Sequence, residues 1–97
     1  MAGAVRKTDE AVRPAVIVLT GSLGVTEVRA LRTRIVAAAR LGAVRIDLSH
    51  ADSLDGGVIA VLLSLRDILR AQGVDLSLVG ATERVQRLLD LFGARIQ

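Results

Sequence analysis

The chain is predicted to fold as an α/β protein, a mixed, mostly parallel sheet of about four strands with helices mainly on one face. Short apolar runs of strand length alternate with longer runs of helical period, in the order strand, helix, strand, helix, strand, helix. Successive strand–helix–strand units favour parallel pairing with right-handed crossovers. Residues 44–48 and 75–78 alternate apolar with polar side chains, so one face of the sheet stays uncovered over much of its area. The 97 residues suit one domain with a modest core, not two.

Residues 1–13 are largely polar and precede Pro14, so they read as a tail or, around 11–13, a short edge strand. Residues 15–19 are apolar throughout and read as a central strand buried on both faces. A loop over 20–24 carries Gly21 and Gly24. A helix over 26–40 then places Val28, Leu31, Ile35 and Ala39 on one stripe and ends at Gly42. The strand at 44–48 passes through Ser49 into a loop holding His50. The next helix starts near Gly57 and stops at Gly73. At about 100° per residue, its Val58, Val61, Leu62, Leu65, Ile68 and Leu69 form the stripe expected to face the sheet. Ile59 and Leu63 fall on a flank beside Arg66 and Arg70. After the strand at 75–78, the hydroxyl of Thr82 can cap a last helix ending at Leu91 or Phe92, before Gly93.

Composition removes several function classes. Apolar residues make up 52% of the chain, which speaks for a folded globule and against disorder. Phe92 is the lone aromatic, so the core must be aliphatic and aromatic stacking is not expected. Cysteine is absent, which excludes disulfides, thiolate metal sites and cysteine catalysis and suits a reducing cytoplasm. Net charge is +3, with Arg supplying 12 of the 13 cations, but these are spread among acids without an aromatic platform. Nucleic acid is therefore not the expected partner. The longest strongly apolar run, 58–63, is far short of the about 20 residues that span a bilayer, so a soluble protein is expected, without direct membrane insertion.

Catalysis finds few candidates. His50 is the lone histidine, and no Ser-His-Asp set can be assembled around it. Asp47, His50, Asp52 and Asp55 are close in sequence, yet strand alternation and helix capping account for Asp47 and Asp55 without a metal. No metal or other cofactor is expected. The sequence Asp55-Gly56-Gly57 is more telling. Asp55 can accept a hydrogen bond from a free first-turn N–H, and the glycines allow another surface to approach the helix end. A phosphate there would meet the Asp55 carboxylate, and no Gly-x-x-x-x-Gly-Lys loop exists, which argues against nucleotide. Ile59 and Leu63 either fill a groove against a neighbouring helix or form a docking patch, with Arg66 and Arg70 as polar rim.

Ile46-Asp47-Leu48-Ser49, Leu54-Asp55-Gly56-Gly57 and the apolar helix after them resemble the STAS family, the sulphate-transporter and anti-sigma-factor-antagonist domains. The resemblance covers residues 16–92. It implies the STAS fold, with an antiparallel edge strand first, and a non-enzymatic domain that binds proteins through Asp55, Gly56, Gly57, Val58, Ile59, Leu63 and Arg66. Gly56 and Gly57 stand where the family carries two serines, the second being the phosphorylated one. Gly57 has no hydroxyl, so that switch is absent. Gly24 likewise replaces an acidic residue of the family pattern. Two kinds of partner are implied: the ATPase or permease of an Mla-type lipid ABC transporter, or a serine-kinase anti-sigma factor. Leu54-Asp55-Gly56-Gly57 and the later Gly73, Gly80, Val85, Leu88 and Leu89 fit the transporter branch best. The implied protein is bacterial and cytoplasmic, reaching the inner-membrane face only through a partner. Homodimerisation stays open.

Overall fold

The computed structural model describes residues 14–93. Strands β1 (Ala15–Leu23), β2 (Val44–Leu54) and β3 (Leu76–Val79) form a parallel sheet in the order β1-β2-β3. A 3-10 turn, Val25–Glu27, leads into helix α1 (Val28–Ala39), and α2 (Gly56–Ala71) and α3 (Glu83–Leu91) follow β2 and β3. The expected alternation of strand and helix is present with three strands. The tail or edge strand expected at residues 11–13 lies outside the described residues.

Register explains which face is buried. Ile17, Ile46 and Leu78 form one row across the sheet, and Val44 pairs with Leu76 in another. Neighbours in register point the same way, so these side chains share a face, and each is at most 5% exposed. Leu31, Ile35 and Ala39 of α1, the inner stripe of α2, and Val85 and Leu89 of α3 complete the core. The other face carries the rows Val16-Arg45-Ser77 and Val18-Asp47-Val79. Val16 is 54% and Val18 44% exposed, so β1 is not buried on both faces as its apolar run suggested. Among the described residues the helices pack on the opposite face, which leaves the outward side chains of this apolar run uncovered.

Two loops expected from the sequence are strand. Residues 20–23 and 50–54 pair with each other, through Thr20↔His50, Gly21↔Ala51, Ser22↔Ser53 and Leu23↔Leu54, with register shifts that β2 absorbs in its greater length. Neither segment has strong strand propensity; the backbone ladder between them makes both extended. His50 therefore lies in a strand, not a loop. β3 stops at Val79, opposite Asp47, while α3 packs against β2.

The turn between β3 and α3 depends on a glycine. Gly80 has φ +72, and a Cβ there would lie 3.1 Å from an Asp47 carboxylate oxygen and 3.3 Å from Ser49 Cβ. Thr82 then caps α3, its hydroxyl accepting from the Val85 N–H at 3.2 Å, as expected.

Candidate functional site

The start of α2 is held from both sides. Asp55 is extended (φ −65, ψ 152), and its Oδ1 accepts from the Gly57 N–H at 2.8 Å. Its own N–H donates to the Leu23 carbonyl at 2.9 Å, which ties the helix start to the end of β1. The 3-10 turn packs against α2. Within that turn, the Gly24 N–H donates to Glu27 Oε1 at 2.7 Å, and the Glu27 N–H returns to the Gly24 carbonyl at 3.0 Å. The Thr26 hydroxyl donates to the second Glu27 oxygen. The Gly24 hydrogen bond, and after it the Thr26 one, hold the Glu27 carboxyl below its ordinary pKa. This end of the molecule thus presents Asp55 and Glu27 beside Val25, which is 74% exposed.

The two glycines of the loop have different surroundings. A Cβ at Gly56 would stand 3.1 Å from the Phe92 ring, so the end of α3 already occupies the approach to Gly56. At Gly57 a Cβ would meet Asp55 Oδ1 at 3.4 Å, an ordinary contact. Gly57 is exposed. Close approach by another molecule is therefore open at Gly57 and taken at Gly56.

The flank of α2 needs correction. Ile59, placed on the solvent side by the helical wheel, is 0% exposed, whereas Ile68, placed in the core stripe, is 51% exposed. Val58, Ile59, Leu62, Leu65 and Leu69 are the buried set, so the buried arc is rotated toward the Ile59 flank. That rotation partly buries Leu63 against the core as well. Arg66 is half-buried, and its Nε is enclosed without a hydrogen-bond partner among the described residues. Of the predicted contact set, the structure brings Asp55 and Gly57 together at an exposed surface, half-buries Gly56, Leu63 and Arg66, and buries Val58 and Ile59.

A second polar group sits where β2 shifts register. The Ser49 N–H donates to Asp47 Oδ1 at 2.9 Å, and Ser49 Oγ lies 3.1 Å from His50 Nδ1. Hydrogen bonds from Ser49, side chain first and then backbone, lower the Asp47 pKa, with a smaller contribution from His50. These contacts brace the irregular strand. Among the described residues no three His, Asp or Glu side chains converge as metal ligands, and no helix is long and apolar enough to cross a membrane.

Sequence reasoning missed Glu27 and Phe92. A carboxylate three residues after Gly24 has the spacing of a capping box, a legible signal. The single aromatic, next to a helix-ending glycine, was a weaker one.

A parallel sheet packed under helices, with a capped helix start exposed at the end of its central strand, is an α/β domain. Residues 6–95 match the family model described as "Mlab, STAS domain", and the chain belongs to the STAS domain family. Among solved structures, the chain resembles one titled "Crystal Structure Analysis of Mglu", with 18% identity and a TM-score of 0.62. The match covers 72% of this chain and 18% of that one, and shows a shared fold. No curated protein matches the chain significantly. STAS domains in general are regulatory, protein-binding domains and not enzymes.

Proposed function

We infer that this protein is a non-enzymatic STAS subunit that binds the ATPase of an Mla-type lipid ABC transporter, at the cytoplasmic face of the inner membrane. The observation that carries the reading is the start of α2: a rigidly capped, exposed Asp55–Gly57 corner without the hydroxyl that a phosphorylation switch needs. The description of the matched family, which names Mlab, supports the transporter branch. The partner surface is Asp55 and Gly57 with Glu27 and Val25 beside them. Val58 and Ile59 support it from beneath.

An anti-sigma-factor antagonist is the competing reading, because that branch uses the same helix start. Calorimetric titration separates the two, with the ATPase of an Mla-type transporter from the same genome in one arm and a serine-kinase anti-sigma factor in the other. Binding to the ATPase, lost in Gly57→Glu at an unchanged melting temperature, is expected. Binding to the kinase alone, or a stoichiometric phosphate on Ser53 in an intact-mass measurement after incubation with kinase and ATP, would replace the transporter reading.

A further inference from the structure

Residues 28–46 contain five arginines and no acid. Three of these, Arg29, Arg32 and Arg40, share one exposed side of α1 with Thr33, Val36 and Ala37. An open recess lies against these six side chains. The spacing of three, four, seven, eight and eleven residues from Arg29 is that of a single helical stripe, about 16 Å long at 1.5 Å per residue. Among the described residues the one ion pair is Arg87 with Glu83, so no described carboxylate neutralises the stripe. Thr33 turns its hydroxyl back to the Arg29 carbonyl at 3.0 Å and leaves the guanidinium groups as the donors of this face. Val36, 39% exposed, and Ala37 form an apolar strip between the outer arginines.

We propose that this face of α1 is a second docking surface, separate from the Asp55–Gly57 corner, and that it receives an acidic helix of a protein partner. An aliphatic centre with an arginine rim is the composition of a protein interface. Arginine forks match carboxylates in a planar, two-pronged geometry, and carboxylates three or four residues apart on a facing helix meet Arg29, Arg32 and Arg40 in turn. A nucleic-acid groove calls for stacking groups, and Phe92, the only aromatic, is not among the residues of this recess but ends α3 against Gly56. A lipid surface calls for apolar side chains that project beyond the cationic ones. Here the apolar residues of the stripe are Val36 and Ala37, shorter than the arginines around them.

The test uses fluorescence anisotropy with the intact chain. The probe is a labelled three-turn helical peptide with Glu at three- and four-residue spacing around a central Leu, and its Glu-to-Gln counterpart is the control. The acidic peptide should bind and the Gln peptide should not. Arg29→Glu with Arg40→Glu should weaken binding by about tenfold or more, and Val36→Ser severalfold without any charge change. The charge-matched pair Arg34→Glu and Arg70→Glu, off the stripe, should weaken it by about threefold at most. Equal losses in the two charge-reversed pairs would overturn the proposal, since net charge alone would then explain binding. So would tighter binding to duplex DNA or to phosphatidylglycerol vesicles than to the peptide, or no binding to the peptide at all. Gly57→Glu, carried alongside, should leave peptide binding unchanged, which keeps this surface distinguishable from the α2 corner.

Discussion

The two halves of β2 make different use of one strand. From Val44 to Asp47 it lies between β1 and β3, in regular register, with strict alternation of buried and outward residues. From Leu48 to Leu54 it pairs with β1 through shifted register, carries Ser49, His50 and Asp52, and delivers Asp55 to the start of α2. The regular half builds the sheet. The irregular half aims the chain at its candidate site, as register shifts near functional edges commonly do. Its irregularity is secured by local contacts: Asp47 to Ser49, Gly80 against both, and Asp55 to Leu23.

The largest effects should test whether the halves share one core. Ile46 lies in the regular half and Leu48 in the irregular half, and both are 0% exposed. Ile46→Ala and Leu48→Ala should each lose about 2–5 kcal/mol, as should Leu65→Ala and Leu89→Ala in the helices above. Urea denaturation measures all four. A Leu48 variant that loses under about 1 kcal/mol beside a costly Ile46 variant would show that the upper half does not fold with the lower.

A smaller effect isolates the bracing of the irregular half. Gly80→Ala puts a side chain at φ +72 and a Cβ 3.1 Å from Asp47. A loss of about 1–3 kcal/mol is expected. Hydrogen exchange should quicken more in residues 48–54 than in 44–47. Uniform quickening would mean that Gly80 serves the whole fold and does not brace that half.

The regular half was legible in the sequence and the irregular half was not. Alternation at 44–48 and 75–78 located buried rows correctly, and the Asp55 and Thr82 caps were read from residue type and position alone. Residues 20–23 and 50–54 read as loops because their glycine, serine and aspartate carry no strand signal; each is a strand only because the other is beside it. The exposure of Ile68 and burial of Ile59 have the same origin. A helical wheel gives the width of an apolar arc, but neighbouring elements decide how far it turns. At the site, chain-local features were legible, and the Phe92 ring over Gly56, a contact across 36 positions of sequence, was not.

Acid should then test the two carboxylates that brace the turn beside the site and the irregular strand leading to it. Glu27 and Asp47 both have folded pKa values below their ordinary ones, Glu27 through Gly24 and Asp47 through Ser49. A carboxylate depressed on folding stabilises above its unfolded pKa, and that contribution fades as pH falls through the folded value. Stability should thus decline below the ordinary carboxylate range, and Glu27→Gln and Asp47→Asn should each flatten the decline. Both groups are solvated, so the changes are expected to be small. Identical acid limbs in the wild type and both variants would show that other groups control the loss.

The smallest expected effects separate the two loop glycines. Replacing a glycine whose backbone is already helical removes unfolded-state freedom and should stabilise by about 0.4–1 kcal/mol where space allows. Gly57→Ala meets only Asp55 Oδ1 at 3.4 Å, so it should gain that amount. Gly56→Ala must push the Phe92 ring from 3.1 Å, which offsets part or all of the same gain. The offset belongs to the pair and should vanish when the ring is gone: in a Phe92→Ala background, Gly56→Ala should gain as much as Gly57→Ala. Urea midpoints of the wild type, Gly56→Ala, Phe92→Ala and their double variant close this double-mutant cycle, with Gly57→Ala as the reference gain. A Gly56→Ala gain that is already full with Phe92 in place would mean the ring does not press on Gly56 in solution. Gly56 would then be open to a partner, as Gly57 is, and the docking corner would be wider by one residue.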